Sequence, residues 1–386
     1  MFRKDISIGI ILLIFLPYLM LSQETNRNIT ISGYISNMQT AMFEEIEKDW
    51  YTDNLIHNRL NFKLYISNSF TTAIEVRNRF MYGEFVKYFP NYADLIDREN
   101  GWFDLSTNLV EEKSFLLHST IDRAWIDFTA GNLQIRAGRQ RINWGQNFVW
   151  NPNDIFNTYS FFDFDYEEKP GSDALRVQYY TGASSLFEAA VKIDANEDIT
   201  AAGKFQFNQW SYDFQILGGL LNSEDWTLGF GWVGDIEGAG FRGEMTYLHP
   251  KENFTDTSGI FIASLGTDYT FKNSLMIQFE ALYNGASLDV SGFEQYYYMP
   301  LSVKTISFTD YTFFASVSYP VTPLFNGSLS GMYFPSMDGF FLGPNLTYSL
   351  SDNIGLSFIA QHFRGEFTEG ITQKMTLAFL RLKWSF

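Results

Sequence analysis

The chain has 386 residues, no cysteine and a formal net charge of −17 at pH 7. An acidic chain lacks the basic surface on which nucleic-acid binding depends, so we exclude a nucleic-acid partner. Aromatic residues make up 18% of the sequence, which excludes a disordered chain, and the lack of cysteine excludes a disulfide framework.

The first residues predict a secretory signal peptide at residues 1–22. Arg3 and Lys4 form a basic head, an apolar run follows from Ile6 to Leu21, and the sequence then turns polar. A membrane-anchoring helix is the alternative, but the apolar run is shorter than the roughly 20 residues that a spanning helix needs. We place the cleavage near Ser22 and assign residues 23–386 to one domain.

Strict alternation of apolar and polar residues dominates the rest of the chain. In residues 60–67 the apolar Leu60, Phe62, Leu64 and Ile66 alternate with polar or amphipathic neighbours, which is typical of half-buried strands. We count about 18 such segments of roughly ten residues, the length of a tilted membrane-spanning strand. Their predicted starts are near residues 28, 56, 71, 119, 133, 173, 184, 200, 211, 225, 240, 260, 274, 310, 325, 339, 354 and 373.

The connections between these segments alternate between short and long. Tight turns such as SNS, AGN, TGAS and SDN contrast with long polar connections at 86–118, 145–172 and 287–309. This sorting predicts an all-β fold, a transmembrane antiparallel up-and-down β-barrel with short periplasmic turns and long outer loops. Because both chain ends should be periplasmic, we expect an even strand number near 18, with 16 as the alternative. A soluble sandwich is the rival fold, but its connections need not sort by length.

Charged residues on the predicted strands should face the lumen, because a charge facing lipid near the midplane costs roughly 2–4 kcal/mol. The predicted pore-lining residues of the second to sixth strands are Arg59, Lys63, Arg77, Arg79, Arg123, Arg136 and Arg176, with the acids Glu75 and Asp127. On the remaining strands Glu188, Asp213, Glu244, Asp268 and Glu280 oppose Lys192, Lys204 and Arg242. This predicts a basic wall that faces a mildly acidic wall. In the alternative interpretation, each arginine pairs with a loop carboxylate and stiffens the wall.

The segment GRQRINWGQNFVWNPNDIF, from Gly138, predicts a constriction loop that enters the lumen. Proline restricts the residue before it, so Asn151-Pro152 fixes a turn, while Trp144 can anchor the loop and Gly145 allows close backbone approach. Asp154 completes the predicted set. Arg139 and Arg141 have the opposite parity to Arg136, so either a bulge at Gly138 resets the register or both side chains reach the rim.

An acidic stretch follows in the same loop. Asp163, Asp165, Glu167 and Glu168 can partner the arginines if the loop folds inward. A solvated acidic loop is the interpretation we favour, with a calcium site as a further alternative, since hard cations take carboxylate ligands. We predict no cofactor and no metal.

The final strand places Leu380, Leu382, Trp384 and Phe386 on one face. A terminal phenylalanine in this pattern resembles the signal by which bacterial outer-membrane proteins are presented to the barrel-assembly machinery. The resemblance implies that this machinery is a partner, with Trp384 and Phe386 as the assembly signal.

Residues 123–156 resemble the alginate-export-type and related porin-like outer-membrane barrels. The matching positions are Gly138, Arg139, Gln140, Trp144, Gly145, Asn151, Pro152 and Asp154, preceded by the strand at 123–128. In the alginate exporter an arginine-rich lumen passes an anionic polysaccharide. This chain is shorter and its loops are more acidic, so the resemblance implies the architecture and not that substrate.

These observations predict a bacterial outer-membrane channel, not an enzyme, for passive diffusion of small hydrophilic and mainly anionic solutes. Its expected partners are outer-membrane lipid and lipopolysaccharide, with a homo-oligomer left open. A polysaccharide-export component is one alternative. An outer-membrane hydrolase is another, based on the four histidines His57, His118, His249 and His362, although none lies in a nucleophile motif.

Overall fold

The structure is a computed structural model that describes residues 28–386 except 90, 253, 287, 289, 291, 293–298 and 369. The predicted signal peptide and part of the predicted loop 287–309 therefore lie outside the described residues. None of the helices in the described ranges is long and apolar enough to cross a membrane.

The described residues form antiparallel strands with few helical segments, because alternating sequences bury one face of a strand and expose the other. Two short helices, α1 (Glu84–Tyr88) and α2 (Tyr92–Ile96), lie between β3 and β4. The strands are β1 (Ile29–Phe43), β2 (Tyr51–Tyr65), β3 (Phe70–Gly83), β4 (Ser106–Glu112), β5 (Phe115–Ala130), β6 (Leu133–Gln140), β7 (Ser172–Tyr180), β8 (Leu186–Ile193), β9 (Ile199–Gln209), β10 (Tyr212–Leu221), β11 (Asp225–Ile236), β12 (Ala239–Pro250), β13 (Ile260–Thr270), β14 (Met276–Asn284), β15 (Tyr311–Thr322), β16 (Phe325–Phe334), β17 (Gly339–Ser351), β18 (Ile354–Thr368) and β19 (Ile371–Ser385).

The sheet closes on itself because β1 pairs with both β2 and β19. Strand β3 pairs directly with β5. Strand β4 pairs only with the first part of β5, so it is not one of the strands that close the barrel. The ring is a closed antiparallel barrel of 18 strands. The prediction of an all-β up-and-down barrel with about 18 strands is confirmed, and the alternative of 16 strands is wrong.

The connections sort by length between the two ends of the barrel. At the end that holds the first residue of β1 and the last residue of β19, each connection has two to five residues: 66–69, 131–132, 181–185, 210–211, 237–238, 271–275, 323–324 and 352–353. The long connections 84–114, 141–171 and 285–310 all leave the opposite end, which we call the outer rim. They correspond to the three long loops predicted from the sequence.

The two faces of the wall differ in polarity, as β14 illustrates. Its outward side chains are apolar and exposed, with Ile277 at 42% and Phe279 at 45% of their maximal surface. Its inward residues include Glu280 and Asn284, both with no exposed surface. Inside the barrel, apolar loop residues such as Trp150 and Phe308 pack against the wall and form one buried cluster. The lumen is therefore partly filled by the chain's own loops.

Candidate functional site

The connection between β6 and β7, residues 141–171, lies inside the barrel, and we call it the inner loop. Its residues bond inward-facing groups on many parts of the wall, namely β1, β2, β8, β10, β12, β14, β18 and β19. Because these strands lie around much of the circumference, the inner loop occupies part of the barrel's cross-section. The space that remains between the loop and the opposite wall is narrower than the barrel itself.

Two buried carboxylates hold the first half of the inner loop by its backbone. Glu280 on β14 accepts the N–H groups of residues 148, 149 and 150 at 3.1, 3.1 and 2.7 Å. Glu244 on β12 accepts the N–H groups of Gln146, Asn147 and Asn153. Buried N–H groups need acceptors, and a carboxylate accepts several more strongly than a neutral group does. The two glutamates therefore set the path of the loop.

The Asn-Pro segment closes a compact turn within the loop. The Asn151 side-chain oxygen accepts the N–H of Asn147 at 2.9 Å, and the Asp154 carboxylate accepts the N–H of Trp144 at 3.3 Å. A Cβ atom on Gly145 would lie 2.3 Å from the Asn151 side-chain oxygen, so only glycine fits this approach. Four of the positions named by the resemblance thus meet across the turn, Trp144 with Asp154 and Gly145 with Asn151.

Trp144 joins this turn to the wall. Its indole N–H donates to Glu188 at 2.9 Å, its carbonyl oxygen accepts from Gln215 at 2.7 Å, and its ring packs edge-on against Phe156. Trp144 is 1% exposed, and Asn151, Pro152 and Asp154 are also buried. These predicted constriction-loop residues therefore lie between the loop and the wall and do not border the passage.

The acidic end of the inner loop is ion-paired to the wall. The prediction of a solvated acidic loop is wrong for Asp165 and Glu168, which point into a basic part of β1 and β2, whereas Asp163 and Glu167 are exposed. The pairs are Asp165 with His57 at 3.3 Å, Glu168 with Arg59 at 3.4 Å, Glu167 with Lys383 at 2.7 Å and Glu167 with Arg381 at 3.0 Å. No group of acids or histidines arranged to hold a metal ion occurs among the residues that the structure describes.

The predicted basic residues point inward, and four of the seven have carboxylate partners. The pairs are Arg59 with Glu75, Asp122 and Glu168, Arg77 with Asp122, Arg136 with Asp127, and Arg176 with Glu188. Arg59 has no exposed surface, whereas the Arg136 side chain is 22% exposed and stacks over Trp125. The alternative interpretation, in which each arginine pairs with a carboxylate and stiffens the wall, accounts fully for Arg59. It accounts in part for Arg77, Arg136 and Arg176, which are paired but keep some exposed surface.

The other three basic residues have different surroundings. Arg123 donates to the carbonyl oxygens of Glu168 and Lys169 at 2.8 and 2.6 Å and so fixes the end of the inner loop. Arg79 donates to the carbonyl oxygen of Ile96 at 3.3 Å, and Lys63 lies 4.9 Å from the centre of the Tyr65 ring. None of these three has a carboxylate within 4.0 Å in the described part of the chain.

Asp122 is a central residue that the sequence analysis missed. The register of β3 against β5 shifts between Glu75 and Val76, so Asp122 is an extra residue in a β-bulge. It is 3% exposed, contacts Arg59 and accepts the hydroxyl of Tyr166 at 2.8 Å. In a regular strand one of two adjacent residues points outward, so either Asp122 or Arg123 would face lipid. Two adjacent charges on a membrane-spanning strand were therefore the sequence signal for a bulge at this point.

Gly138 does not reset the register of β6, which resolves the position of Arg139. Residues 137–139 pair consecutively with β7 without a shift, although Gly138 has a φ of +112°. Arg139 keeps the opposite parity to Arg136 and is 5% exposed at the outer rim. Asp173 and Glu99 each bind its guanidinium at 2.8 Å, so the connection 84–114 covers it.

Arg141 belongs to the inner loop and follows the end of β6. Its guanidinium lies 3.3 Å from the Asp154 carboxylate and 5.2 Å from the centre of the Tyr159 ring. Its side chain is 21% exposed, so this cation keeps contact with solvent.

The predicted acidic wall needs correction. Glu188, Glu244 and Glu280 are buried beneath the inner loop and bind it, so they do not face the passage. Asp268 pairs with Arg242 at 2.7 Å, and Asp213 accepts a hydrogen bond from Asn208. Lys192 donates to the carbonyl oxygen of Phe156, and Lys204 lies 3.7 Å from Glu188. The sequence could not show that these glutamates are buried, because it does not reveal which part of the wall the inner loop covers.

Burial alters the ionisation of the inner-loop groups. It raises the pKa of Asp154 to about 7, against the opposing effects of Arg141 and the Trp144 N–H. Burial would also raise the pKa of Asp165, but its hydrogen bond to His57 and the charges of His57 and Arg381 lower it below the ordinary value. The loop therefore holds one carboxyl group that titrates near neutrality and one that stays charged.

The four histidines are spread over the barrel. His57 is inward and faces Asp165, and His118 lies 3.1 Å from the side-chain oxygen of Asn108. His249 stacks on Phe254, and His362 is on the outward face of β18 beside Thr376. They do not share one site.

No known protein family matches the chain in sequence, and no curated protein does either. Solved structures of similar shape include OccAB1 of Acinetobacter baumannii, with 10% identity, a TM-score of 0.56, and coverage of 93% of this chain and 97% of that one. OccAB4 of the same organism has 10% identity, a TM-score of 0.57, and coverage of 94% and 100%. OccK11 (OpdR) of Pseudomonas aeruginosa has 7% identity, a TM-score of 0.55, and coverage of 93% and 96%.

Proposed function

We propose that this chain is a bacterial outer-membrane channel through which small hydrophilic solutes diffuse passively, with a preference for anionic ones. The observation that carries the proposal is the inner loop, which is bound to the wall inside a closed barrel with an apolar outer face. A passage narrowed by a fixed loop admits small solutes and restricts large ones. The fold, which is that of outer-membrane porins of the Occ group, supports the same conclusion.

The preference for anions rests on the order of charges across the wall. In the pairs of Arg77, Arg136 and Arg176, the arginine side chains are 11%, 22% and 13% exposed, whereas their acidic partners are 2%, 7% and 4% exposed. A solute in the passage therefore meets the cation before the carboxylate. Distant acidic loops contribute less, because the screening length is about 8 Å at physiological salt.

Planar bilayer recording in a salt gradient tests both parts of the proposal. We expect open-channel conductance with mild anion selectivity, and a shift toward cations when Arg77, Arg136 and Arg176 are all replaced by Gln. The shift should shrink as salt rises, because salt screens the wall charges. The matched control replaces the exposed Lys113, Lys251 and Lys272 by Gln, which changes the net charge equally but away from the passage.

The recordings can reject the anion preference and the passive channel separately. Cation selectivity in the unmodified channel, or an unchanged reversal potential in the triple variant, rejects the anion preference. A complete lack of conductance rejects the passive channel and favours a polysaccharide-export component that opens only with its partners. Hydrolysis of membrane lipid by the purified barrel would favour the enzyme, for which the dispersed histidines offer little support.

Residues 1–22 and the last strand complete the proposal. The signal peptide would direct export, and the barrel-assembly machinery would then recognise Trp384 and Phe386. The apolar outer face would contact membrane lipid and lipopolysaccharide, and it is also compatible with a homo-oligomer.

A further inference from the structure

Two basic residues face each other on the outside of the barrel near the outer rim. Arg364 on β18 and Lys374 on β19 are Cα partners in the antiparallel register. On the same face, one step closer to the short turns, His362 pairs with Thr376. One step closer again, Ala360 pairs with Ala378. The next pair in this sequence, Phe358 and Leu380, is 41% and 50% exposed on the apolar outer face. The period of two therefore places both cations on the outward face.

Neither cation has an acidic partner within 4.0 Å in the described part of the chain. The nearest outward acid along β18, Glu366, accepts a hydrogen bond from Thr372 at 3.4 Å and forms no ion pair with Arg364 or Lys374. Like charges directly opposite each other destabilise a sheet. An anion that binds both groups at once would remove this repulsion.

The position of Arg364 and Lys374 along the membrane normal indicates which anion can reach them. Arg364 is ten residues along β18 from Ile354, which begins the strand at the short-turn end. With a rise of about 3.3 Å per residue and a tilt of 35–45°, that is roughly 25 Å along the membrane normal. Because the apolar band of such barrels is about 25 Å tall, the cations lie where the head groups of the outer leaflet begin.

The residues below the cations fit an acyl chain. Ala360 and Ala378 form a pair of small side chains between the cations and the bulkier Phe358 and Leu380. Strands elsewhere carry aromatic residues on the outward face near the rim, as Tyr247, Tyr311 and Tyr333 show with exposures of 41%, 55% and 49%. The outward face of β18 and β19 thus carries two cations at the rim, then His362 and Thr376, and then two alanines that leave room beside Phe358 and Leu380.

We infer that Arg364 and Lys374 bind a phosphate group of an acylated, phosphorylated glycolipid in the outer leaflet, the lipid A part of lipopolysaccharide. The guanidinium can donate two parallel hydrogen bonds to one phosphate, and the ammonium can reach the same group from the neighbouring strand. The acyl chains would lie over Ala360 and Ala378. The inference rests on the proposed outer-membrane location and adds a specific lipid site to it.

Native mass spectrometry of the detergent-purified barrel with added lipid A tests the inference. We expect the unmodified barrel to bind bisphosphorylated lipid A about tenfold more tightly than dephosphorylated lipid A, with little binding of free inorganic phosphate. The double variant Arg364→Gln, Lys374→Gln should bind both lipids as weakly as the unmodified barrel binds the dephosphorylated one. The control Lys113→Gln, Lys251→Gln removes two exposed cations from outer connections and should bind as the unmodified barrel does.

Equal binding of the two lipids by the unmodified barrel would overturn the inference without any variant. Unchanged lipid A binding in the double variant, or an equal loss in the control, would also overturn it. If inorganic phosphate alone competed as well as lipid A, the site would be a free-anion site and the lipid assignment would be wrong. Conductance of the same preparation separates the two proposals, since an open channel without selective lipid binding leaves the proposed function intact.

Discussion

Arg59 lies in the centre of a cluster with Glu75, Asp122 and Glu168, and its side chain has no exposed surface. Leaving one member of such a cluster unpaired costs several kcal/mol, so its first role is to hold β2, β5 and the inner loop together. Arg136 differs because its side chain retains 22% exposure above Asp127. Inward orientation is thus shared by all these arginines, whereas contact with the passage depends on what covers each one.

At the same scale, Asp154 should make the barrel less stable as pH rises. Burial raises its pKa from 3.8 to about 7. Between these values the folded chain binds a proton that the unfolded chain does not, so this contribution is present below about pH 4 and lost as pH rises through 7. We expect the temperature of heat modification on gels to fall from pH 4 to pH 8, and to fall less in Asp154→Asn.

Asp163→Asn is the matched control for this prediction, because it removes an exposed acid from the same loop. An equal fall in the unmodified barrel and in Asp154→Asn would show that other groups cause the pH dependence.

At the scale of elements, the inner loop is held by a small number of strong contacts. Six backbone N–H groups between residues 146 and 153 donate to Glu244 and Glu280. Removing either acceptor would leave three buried N–H groups without a partner, and each unsatisfied group costs about 1–3 kcal/mol. The loop path therefore depends on two side chains of distant strands.

Replacing Glu244 and Glu280 by Gln should release the first half of the loop. An amide oxygen accepts more weakly than a carboxylate, and the amide N–H₂ group would face backbone N–H donors. We expect a larger and noisier single-channel conductance with the barrel still formed. Asp213→Asn is the control, since that inward acid binds Asn208 and not the loop. A conductance identical to that of the unmodified channel would mean that the loop does not limit the passage.

The last strand closes the barrel as well as carrying the predicted assembly signal. Phe386 exchanges two backbone hydrogen bonds with Gly33, at 2.9 and 3.0 Å. Deletion of Phe386 removes these bonds, whereas Phe386→Ala keeps them and removes only the ring.

We therefore expect both changes to reduce the amount of heat-modifiable barrel in cells, with the deletion more severe. Refolding of purified Phe386→Ala into detergent should remain near normal, because the closing bonds are retained. If Phe386→Ala assembles normally in cells, the ring is not an assembly signal.

At the scale of the whole molecule, the barrel has two unlike ends. Every connection at the end that holds both ends of the strand ring has two to five residues, whereas all the long connections lie at the outer rim. Because assembly leaves the chain ends of such barrels in the periplasm, we predict that the outer rim faces the cell exterior.

Single cysteines test this orientation, since the chain has none of its own. In intact cells, a cysteine in place of the exposed Lys113 should react with an impermeant thiol reagent, whereas one in place of the exposed Ser184 should react only after the outer membrane is opened. The reverse pattern would show that the topology is inverted.

The sequence by itself indicated about 18 strands, most of their positions and the sorting of the long connections, and the closed ring then excluded the alternative of 16 strands. Predicted starts at 133, 225, 260, 325, 339 and 354 coincide with the observed first residues of β6, β11, β13, β16, β17 and β18. These features are local, because a period of two and a turn residue are readable within about ten positions. Starts were less accurate at β2, where the polar residues 52–54 extend the strand, and at β5, which begins at Phe115 and not near residue 119.

Only the tertiary structure decided which charges are free. The inner loop bonds side chains far away in sequence, as Glu167 does with Lys383 across 216 positions. Such pairings depend on how the closed ring places distant strands opposite one loop, and a one-residue bulge brought Asp122 inward against strict alternation. Alternation predicts the face on which a side chain lies, but its partner and its exposure depend on residues that meet only when the barrel closes.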